Sequence, residues 1–221
     1  MKYYPVYLDI KGKNALVIGG GAVALRKVET LLECGAVVNI VSRELNDELE
    51  GLVGDGRLFH KGEIFRDEQL EGMFIVIAAT DDSELNHRIS RMAEKRGLLI
   101  NAVDQPADCN FIVPSLVKRG DLLIAISTSG QSPALARRLR KELEAQFACE
   151  YELYLVLMGR LRELVRQSDL CLNERSDLFK YLTESNLFDL VCRKDSKEIK
   201  SMLRGVVPED IDPDHIVDEI M

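Results

Sequence analysis

The sequence predicts an α/β fold with an open parallel sheet, followed by a strand hairpin and a helical C-terminal region. Up to about residue 112, apolar runs of strand length alternate with segments of helical periodicity, which is the pattern of a parallel sheet with crossover helices. Two further apolar runs, 111–117 and 121–127, are joined by a short basic turn typical of a hairpin. From about residue 150, leucines recur at helical spacing. The predicted divisions are 1–112, 113–148 and 149–221.

The first three predicted elements form one βαβ unit. The apolar run Asn14–Ile18 predicts a strand, and the run Val37–Val41 predicts a second strand. A helix from about Val23 to Cys34 connects the two runs, and Gly35 ends it. Because parallel strands need a crossover connection, the helix is expected to pack against both strands.

A glycine-rich loop lies between the first strand and its helix. Gly19 would permit the tight turn, Gly21 would let a ligand approach the backbone, and Ala24 would let the helix pack closely on the strand. The amides and the positive dipole end of the helix would then face an anion. This arrangement favours a Rossmann-type domain that binds a dinucleotide over a glycine turn with a purely structural role. The residues expected to contact the cofactor here are Gly19, Gly20, Gly21, Ala22 and Val23.

The end of the second strand leaves the choice between NAD and NADP open. An acidic residue usually holds the adenosine ribose at this point, but Ser42, Arg43 and Glu44 follow here, with no acid at the strand tip itself. Arg43 could accept a 2′-phosphate or could be a solvated loop charge, whereas Ser42 could hold a free ribose. All three residues are candidate cofactor contacts.

Later strands bring further polar residues to the same edge of the predicted sheet. A buried strand is expected at 73–79 and another at 98–103. The helix between them is expected to begin at Asp82 or Ser83, either of which is a suitable N-cap. Ligands of open parallel sheets bind at the carboxyl ends of the strands. The residues at these ends, expected to border the same crevice as the glycine loop, are Thr80 and Asp104.

A helix rich in basic residues follows the predicted hairpin. Ser132 is a suitable N-cap, and Pro133 is a favourable first helical residue. The basic side chains could form a solvated helix face, or they could bind carboxylates of a ligand together with the amides of the preceding loop. The residues of this candidate anion site are Ser129, Gly130, Arg137, Arg138, Arg140 and Lys141.

Composition excludes several classes of function. The formal net charge of −8 argues against a nucleic-acid partner, because neutralising phosphates needs a basic surface. No secretory signal and no apolar run of membrane-spanning length is present, so a cytoplasmic protein without membrane insertion is expected. The five cysteines form no C-x-x-C pair and are expected to be free, mostly buried thiols. The three histidines are scattered, so no metal site is predicted.

Five motifs occur in a fixed order within residues 1–145. They are Gly19-Gly20-Gly21-x-Val23-Ala24-x-Arg26-Lys27, Ala78-Ala79-Thr80-Asp81-Asp82, Asn101-x-Val103-Asp104, Phe111-Ile112-x-Pro114-Ser115 and Ser127-x-Ser129-Gly130-x-Ser132-Pro133. Together they resemble the siroheme synthase family, and more closely its precorrin-2 dehydrogenase module. Five ordered motifs are far more specific than any one of them.

The resemblance implies a fold, a reaction and an assembly. The fold would be a Rossmann domain, a segment that builds an intertwined homodimer, and a helical C-terminal region. The reaction would be the oxidation of precorrin-2, a tetrapyrrole with carboxylate side chains, to sirohydrochlorin with NAD as the hydride acceptor. In some members of the family, a second activity inserts ferrous iron to give siroheme.

The resemblance also implies roles for individual residues. Asp104 matches the family's catalytic acid by motif position, although it could also merely start the turn that contains Pro106. Asn101 and Thr80 would contact the cofactor rather than the substrate. The residues that would anchor the substrate carboxylates are Ser129, Gly130, Arg137, Arg138 and Lys141.

Two alternative functions share most of these features. A non-catalytic nucleotide-sensing module would have the same βαβ unit but would not need the basic helix. A bifunctional dehydrogenase and iron chelatase has the same sequence features as a dedicated dehydrogenase, because chelation can proceed without a dedicated protein ligand. A short-chain dehydrogenase is excluded, because its Tyr-x-x-x-Lys spacing occurs only at Tyr7 and Lys11, before the glycine loop.

Overall fold

A computed structural model describes residues 2–221, and the chain divides after Val113 into two compact units. The first unit contains a sheet of five strands. They are β1 (Asn14–Ile18), β2 (Val37–Val41), β3 (Leu58–His60), β4 (Ile75–Ala78) and β5 (Leu99–Ala102). The strands are all parallel, in the order β3-β2-β1-β4-β5. This order is that of a Rossmann-type sheet and confirms the predicted α/β fold.

Helices cover both faces of this sheet. They are α1 (Ala22–Glu33), α2 (Asp47–Gly54) and α3 (Ser83–Lys95), with short 3₁₀ turns at Asp67–Leu70 and Pro106–Asp108. On one face, Val17 of β1 packs in the same core cluster as Val28 of α1. On the other face, Leu16 packs in the same cluster as Ile89 of α3. Because side chains alternate along a strand, both faces of the sheet are buried and the strand ends remain for ligands.

The sequence pattern did not predict α2. Its N-cap is Asn46, whose side chain accepts a hydrogen bond from the Leu49 amide at 2.9 Å, and acidic residues fill its first turn. Gly51 and Gly54 lie inside the helix and lower its intrinsic propensity. The N-cap and the burial of Leu49 therefore stabilise α2, although its two glycines disfavour a helix.

The second unit begins with the predicted hairpin. Strands β6 (Ser115–Arg119) and β7 (Leu122–Ile126) pair antiparallel and precede α4 (Pro133–Gln146). The prediction that the first strand starts at residue 111 is wrong, because Pro114 lacks an amide donor and the Phe111 carbonyl accepts a bond from Asn101.

Both ends of α4 are capped. The N-terminal cap is the one that the sequence predicts, and the C-terminal cap comes from a residue distant in the sequence. The Ser132 hydroxyl accepts a hydrogen bond from the Leu135 amide at 3.3 Å, and Pro133 is the first helical residue. At the C-terminal end, the Arg119 guanidinium donates to the carbonyls of Glu144 and Phe147 at 2.9 and 2.8 Å. A cation bonded to the last carbonyls of a helix is favourable, so the hairpin and α4 are held together.

Helices make up the rest of the second unit. They are α5 (Glu150–Gln167), α6 (Leu172–Glu184), α7 (Leu187–Arg193), α8 (Ser196–Arg204) and α9 (Pro213–Ile220). Leu157, Leu161 and Val165 form the buried stripe of α5 and pack in one cluster with residues of the other four helices. This helical region matches the predicted C-terminal architecture.

The expectation that the cysteines are mostly buried is wrong. All five are free, but Cys34, Cys149, Cys171 and Cys192 are exposed, and only Cys109 is partly buried. Three of the exposed thiols occupy the cap positions of helices, at Cys34, Cys149 and Cys171, and helix ends lie at the surface. Among residues 2–221, no helix is long and apolar enough to cross a membrane.

Candidate functional site

A cleft of about 710 Å³ lies at the carboxyl ends of β1, β2 and β4. At β1 the strand order changes direction, because its two neighbours β2 and β4 lie on opposite sides of it. Such a switch point is where open α/β sheets bind ligands. The predicted cofactor residues that line the cleft are Gly19, Gly20, Gly21, Ala22, Val23, Ser42, Arg43, Glu44 and Thr80.

The three glycines of the loop have different surroundings. Gly19 has a φ of +119°, and a Cβ at this position would overlap the Ala79 carbonyl oxygen. A Cβ on Gly20 would overlap the Glu44 carbonyl oxygen. At Gly21, by contrast, no atom of the described residues, apart from Gly21 and its two neighbours in the chain, lies within 4 Å of an added Cβ. The first two glycines therefore allow close packing of the loop, and the third presents its backbone to open space.

The N-terminus of α1 is suited to an anion. Its N-cap is Gly21, which has no side chain to accept bonds from the first amides, and the first turn contains no acidic residue. Ala24 is fully buried behind this turn and allows the helix to lie close to the sheet. The open side of Gly21, the uncapped amides and the volume of the cleft all fit the diphosphate of a dinucleotide.

The residues after β2 form a bonded turn with two carboxylates nearby. The Ser42 hydroxyl donates to the Glu44 carbonyl oxygen at 2.6 Å, and the His60 ring contacts the Ser42 carbonyl oxygen at 2.9 Å. Glu44 and Glu63 both line this part of the cleft, together with Arg43. Glu63 was not indicated by the sequence pattern, although it follows β3 at the same sheet edge.

Thr80 is held at the end of β4 by a buried amide. Its hydroxyl donates to Asn86 Oδ1 at 2.8 Å, and Asn86 Nδ2 donates to the Thr80 carbonyl at 2.9 Å. Leu85 and Arg88, on either side of Asn86 in α3, also line the cleft. Arg88 is a cation of the cleft lining that the sequence pattern did not single out, although its spacing from Leu85 puts both on one helix face.

Asn101 serves the packing of its own unit and does not line the cleft. Its Nδ2 donates to the Phe111 carbonyl at 3.2 Å and contacts the Cys109 sulfur at 3.5 Å. The Cys109 sulfur in turn lies 3.2 Å from both the amide and the carbonyl of Ala102. These contacts tie the chain after β5 back onto the strand.

Asp104 follows β5 with an exposed side chain and an unusual backbone. Its φ of 58° lies in the left-handed region, which costs about 1 kcal/mol for a residue other than glycine and is tolerated best by Asn and Asp. Asp104 therefore does begin the turn that contains Pro106, as one of the two sequence interpretations expected. Such conformations concentrate at functional sites, so the structural role does not exclude a catalytic one.

A partly buried lysine lies on the flank of the buried stripe of α1. Burial lowers the pKa of the Lys27 ammonium, and the neighbouring Arg26 lowers it further. The Cys109 thiol lies within electrostatic range of Lys27, and burial raises the pKa of that thiol. The Lys27 ammonium therefore loses its proton at a lower pH than a solvated lysine does. The Cys109 thiol, by contrast, remains protonated at neutral pH.

In the second unit, the candidate anion residues differ in how they are paired. Ser129 and Gly130 both have positive φ, 52° and 83°, in the loop before α4. Arg138 forms an ion pair with Glu142 at 2.7 Å, and Arg140 lies 3.8 Å from Glu144. Over the described part of the chain, no ion pair involves Arg137 or Lys141, so these two cations on α4 have no protein partner to give up.

The three histidines lie apart. His60 contacts the Ser42 carbonyl, His87 pairs with Asp108 at 2.6 Å, and His215 lies 3.5 Å from Glu219. Residues 2–221 contain no group of three or more His, Cys, Asp or Glu side chains arranged to hold a metal ion.

Two family models and a curated relative match this chain. Residues 6–115 match the family model "Putative NAD(P)-binding", and residues 119–146 match the "Sirohaem biosynthesis protein central" model. Siroheme synthase 1 of Serratia proteamaculans is 40% identical over 203 residues, which is 92% of this chain. The chain belongs to the siroheme synthase family.

The curated members of the siroheme synthase family that match this chain are longer than it. The siroheme synthase of Photorhabdus laumondii is 37% identical over 92% of this chain. The alignment covers 43% of that protein and 43% of the Serratia protein, so the chain spans less than half the length of these relatives. The shared part includes the NAD(P)-binding region, and the first unit is accordingly an NAD(P)-binding domain.

A solved structure of similar length supports the fold of this family member. SirC, a precorrin-2 dehydrogenase, superimposes with a TM-score of 0.76 and 27% sequence identity. The match covers 90% of this chain and 100% of SirC. The sheet, the hairpin and the C-terminal helices thus occur together in a protein of this family.

Proposed function

We propose that this chain catalyses the NAD-dependent oxidation of precorrin-2 to sirohydrochlorin. The observation that carries the proposal is the dinucleotide cleft, with an open Gly21 and an uncapped α1, in a chain that matches the whole of SirC. The alternative of a nucleotide-sensing module would account for the cleft. It would not account for the similarity beyond residue 115, through the hairpin and the helices.

The residues that would hold the cofactor are those of the glycine loop and the turn after β2. Gly21 and the amides of α1 would bind the diphosphate, and Ser42 would lie at the adenosine ribose. NAD, when bound, supplies the hydride acceptor for the reaction. Arg88 lines the same cleft and would add a positive charge near the diphosphate.

The charges after β2 favour NAD over NADP. Glu44 and Glu63 line the cleft on this side, and two carboxylates would repel a 2′-phosphate. Arg43 is the single cation of the turn 42–44 and lines the same cleft. We therefore expect kcat/KM to be at least about tenfold higher with NAD than with NADP, as a charge repulsion of about 1.4 kcal/mol would produce.

Asp104 would accept the proton that the oxidation releases. The reaction removes one hydride and one proton from the macrocycle, so a carboxylate at the sheet edge can take the proton while the hydride leaves to the cofactor. The exposed side chain of Asp104 is accessible to a large substrate. Its left-handed backbone sets the direction in which the side chain leaves the turn.

The segment 113–148 would anchor the substrate carboxylates. Ser129 and Gly130 precede the N-terminus of α4, which favours anions. Arg137 and Lys141 are the cations of α4 that would contribute most, because Arg138 is already paired with Glu142. Carboxylate binding by Arg138 would first have to break this pair.

This assignment predicts the effect of removing the unpaired cations. The double variant Arg137→Gln/Lys141→Gln is expected to raise the KM for precorrin-2 about fivefold at low salt, and less at high salt because salt screens the attraction. NAD affinity should not change. Arg193→Gln/Lys197→Gln, which removes two exposed charges elsewhere in the second unit, serves as the control. An unchanged KM for the first variant at every ionic strength would assign these residues to a solvated face.

We also propose that the chain forms a homodimer through the hairpin. Within the described residues, β6 and β7 form a sheet of only two strands, which is marginally stable alone and which strands of a second copy would extend. Leu116 of the hairpin and Leu135 of α4 expose 38% and 45% of their surface. Sedimentation at micromolar concentration is expected to give about twice the chain mass of 24.9 kDa. A species of 24.9 kDa would contradict the proposal.

A reducing, cytoplasmic location fits the thiols. Four exposed cysteines without a disulfide are typical of proteins kept in a reducing compartment. Fractionation of the source cells should recover the protein with the cytoplasmic enzymes, and recovery in an extracytoplasmic fraction would contradict this location.

An anaerobic assay tests the proposed reaction. The protein is incubated with precorrin-2 and either NAD or NADP, and the absorption spectrum of sirohydrochlorin is followed. Formation of the product with NAD supports the proposal, and no product with either cofactor would overturn it. Adding ferrous ion to the completed reaction then tests the bifunctional alternative, in which the protein accelerates the appearance of siroheme over the uncatalysed rate.

A further inference from the structure

The turn that begins at Asp104 is fastened to α3 by side chains. Its own backbone contributes few bonds, from the Gln105 amide to the Ala102 carbonyl at 3.2 Å and from the Asp108 amide to the Gln105 carbonyl at 2.9 Å. The Gln105 side chain donates to the Ser83 carbonyl at 3.2 Å, which ties the start of the turn to the first turn of α3.

The end of the turn is tied to the next part of α3 by a histidine and aspartate pair. His87 Nδ1 lies 2.6 Å from Asp108 Oδ1, and the Ser90 hydroxyl donates to the Asp108 carbonyl at 2.9 Å. The Asp108 side chain is only 14% exposed, whereas that of His87 is 60% exposed. An ionised carboxylate can only accept hydrogen bonds, so Nδ1 is the donor in this bond.

The pair of His87 and Asp108 joins α3 to the turn that begins at Asp104. Asp108 lies four residues after Asp104 in the same turn, and His87 lies one helical turn after Ser83, which binds Gln105. The buried Oε1 of Gln105 has no hydrogen-bond partner among the described residues, so the start of the turn is not fully satisfied by its own contacts. The bond from His87 to Asp108 is one of the side-chain bonds that hold the turn, beside those made by Gln105, Ser90 and the Cys109 thiol, which donates to the Gln105 carbonyl at 3.3 Å.

We propose that His87 is a positioning residue, which holds Asp104 in its left-handed conformation by donating its Nδ1 proton to Asp108. The proposal rests on the proposed role of Asp104 as proton acceptor. A catalytic group that shifts by about 1 Å can lose as much as a hundredfold in rate, so a loosened turn should lower turnover without weakening cofactor binding. His87 itself does not take the proton of the reaction in this proposal.

Three substitutions of His87 separate positioning from proton transfer. His87→Leu removes the donor, and kcat is expected to fall about tenfold with an unchanged Kd for NAD. His87→Asn restores an N–H donor close to the position of Nδ1, and most of the activity should return. His87→Gln places its amide nearer the position of Nε2 and should resemble the leucine variant. His215→Leu, in the second unit, is the control.

The second partner gives a further check. Asp108→Ala should lower kcat as much as His87→Leu does, and the double variant should be no worse than either single variant, because both remove one interaction. Full activity of His87→Leu would overturn the proposal. So would recovery of His87→Leu by added imidazole together with an inactive His87→Asn, because that result would make His87 a proton carrier.

A measurement without substrate keeps this proposal distinct from the proposed function. Hydrogen exchange at the Gln105 and Asp108 amides should be faster in His87→Leu than in the unchanged protein, with exchange in α1 unaffected. His87→Asn should restore the protection. If the unchanged protein fails to oxidise precorrin-2, the proposed reaction is wrong, and the exchange result alone still decides whether His87 restrains the turn. Equal exchange in both proteins would overturn the restraint.

Discussion

Replacing Asp104 with asparagine is expected to lower the kcat of precorrin-2 oxidation by about a hundredfold or more. The amide keeps the size of the side chain and tolerates the left-handed backbone at φ 58°, but it cannot accept the proton. NAD affinity should be unchanged, because Asp104 does not line the dinucleotide cleft. Steady-state kinetics together with a binding titration measure both quantities.

Asp55→Asn is the matched control for this variant. Asp55 is exposed at the C-cap of α2, away from the carboxyl ends of β4 and β5, and its substitution should leave kcat unchanged. Unaltered dehydrogenation by Asp104→Asn would rule out the role as base. If the unchanged protein also inserts ferrous iron into sirohydrochlorin, the same variant tests whether Asp104 handles protons in that reaction as well.

Replacing Gly21 with aspartate should abolish NAD binding while the fold survives. The position has an ordinary φ of −87°, and among the described residues only its own atoms and those of its two chain neighbours lie within 4 Å of the added Cβ. Aspartate is also a favourable N-cap, so its carboxylate would bond the first amides of α1 and take the place of the diphosphate. We expect the thermal midpoint to be unchanged or slightly raised, and the Kd for NAD to rise by a hundredfold or more, about 3 kcal/mol.

Gly51→Asp provides the control for Gly21→Asp. Gly51 lies in α2, is exposed, and has open space around its Cβ position, so the same substitution tests the general effect of an added charge. This variant should bind NAD normally. An NAD affinity of folded Gly21→Asp equal to that of the unchanged protein would refute the assignment of the glycine loop.

The fold was largely predictable because its signals are local. Val37–Val41 is a strand with the predicted bounds, and Ser132 and Pro133 begin α4 as their residue types favour. α2 escaped prediction because Gly51 and Gly54 mask a short helix whose stability comes from a cap and from Leu49. The prediction that the cysteines are mostly buried was wrong, because the residue type alone does not show that a cysteine lies at the end of a helix.

The site residues that directly follow a strand were predictable from the sequence. Contacts between side chains and backbone groups far apart in the sequence were harder to predict. The cleft includes the glycine loop and Thr80, as expected from their positions after β1 and β4, whereas Asp104, expected at the same crevice, does not line it. The bond from Asn101 to Phe111 depends on the path of the chain after β5, which no spacing encodes. The pair of Arg138 and Glu142, by contrast, has helical i, i+4 spacing and was foreseeable from the sequence.

The most direct test of the central claim is the stoichiometry of a single anaerobic turnover. Protein in excess over precorrin-2 is mixed with NAD, and NADH and sirohydrochlorin are quantified in the same sample. The account predicts equal amounts of the two products, formed at the same rate, and neither product from Gly21→Asp. Sirohydrochlorin without NADH, or no sirohydrochlorin at all from folded protein that binds NAD, would contradict it.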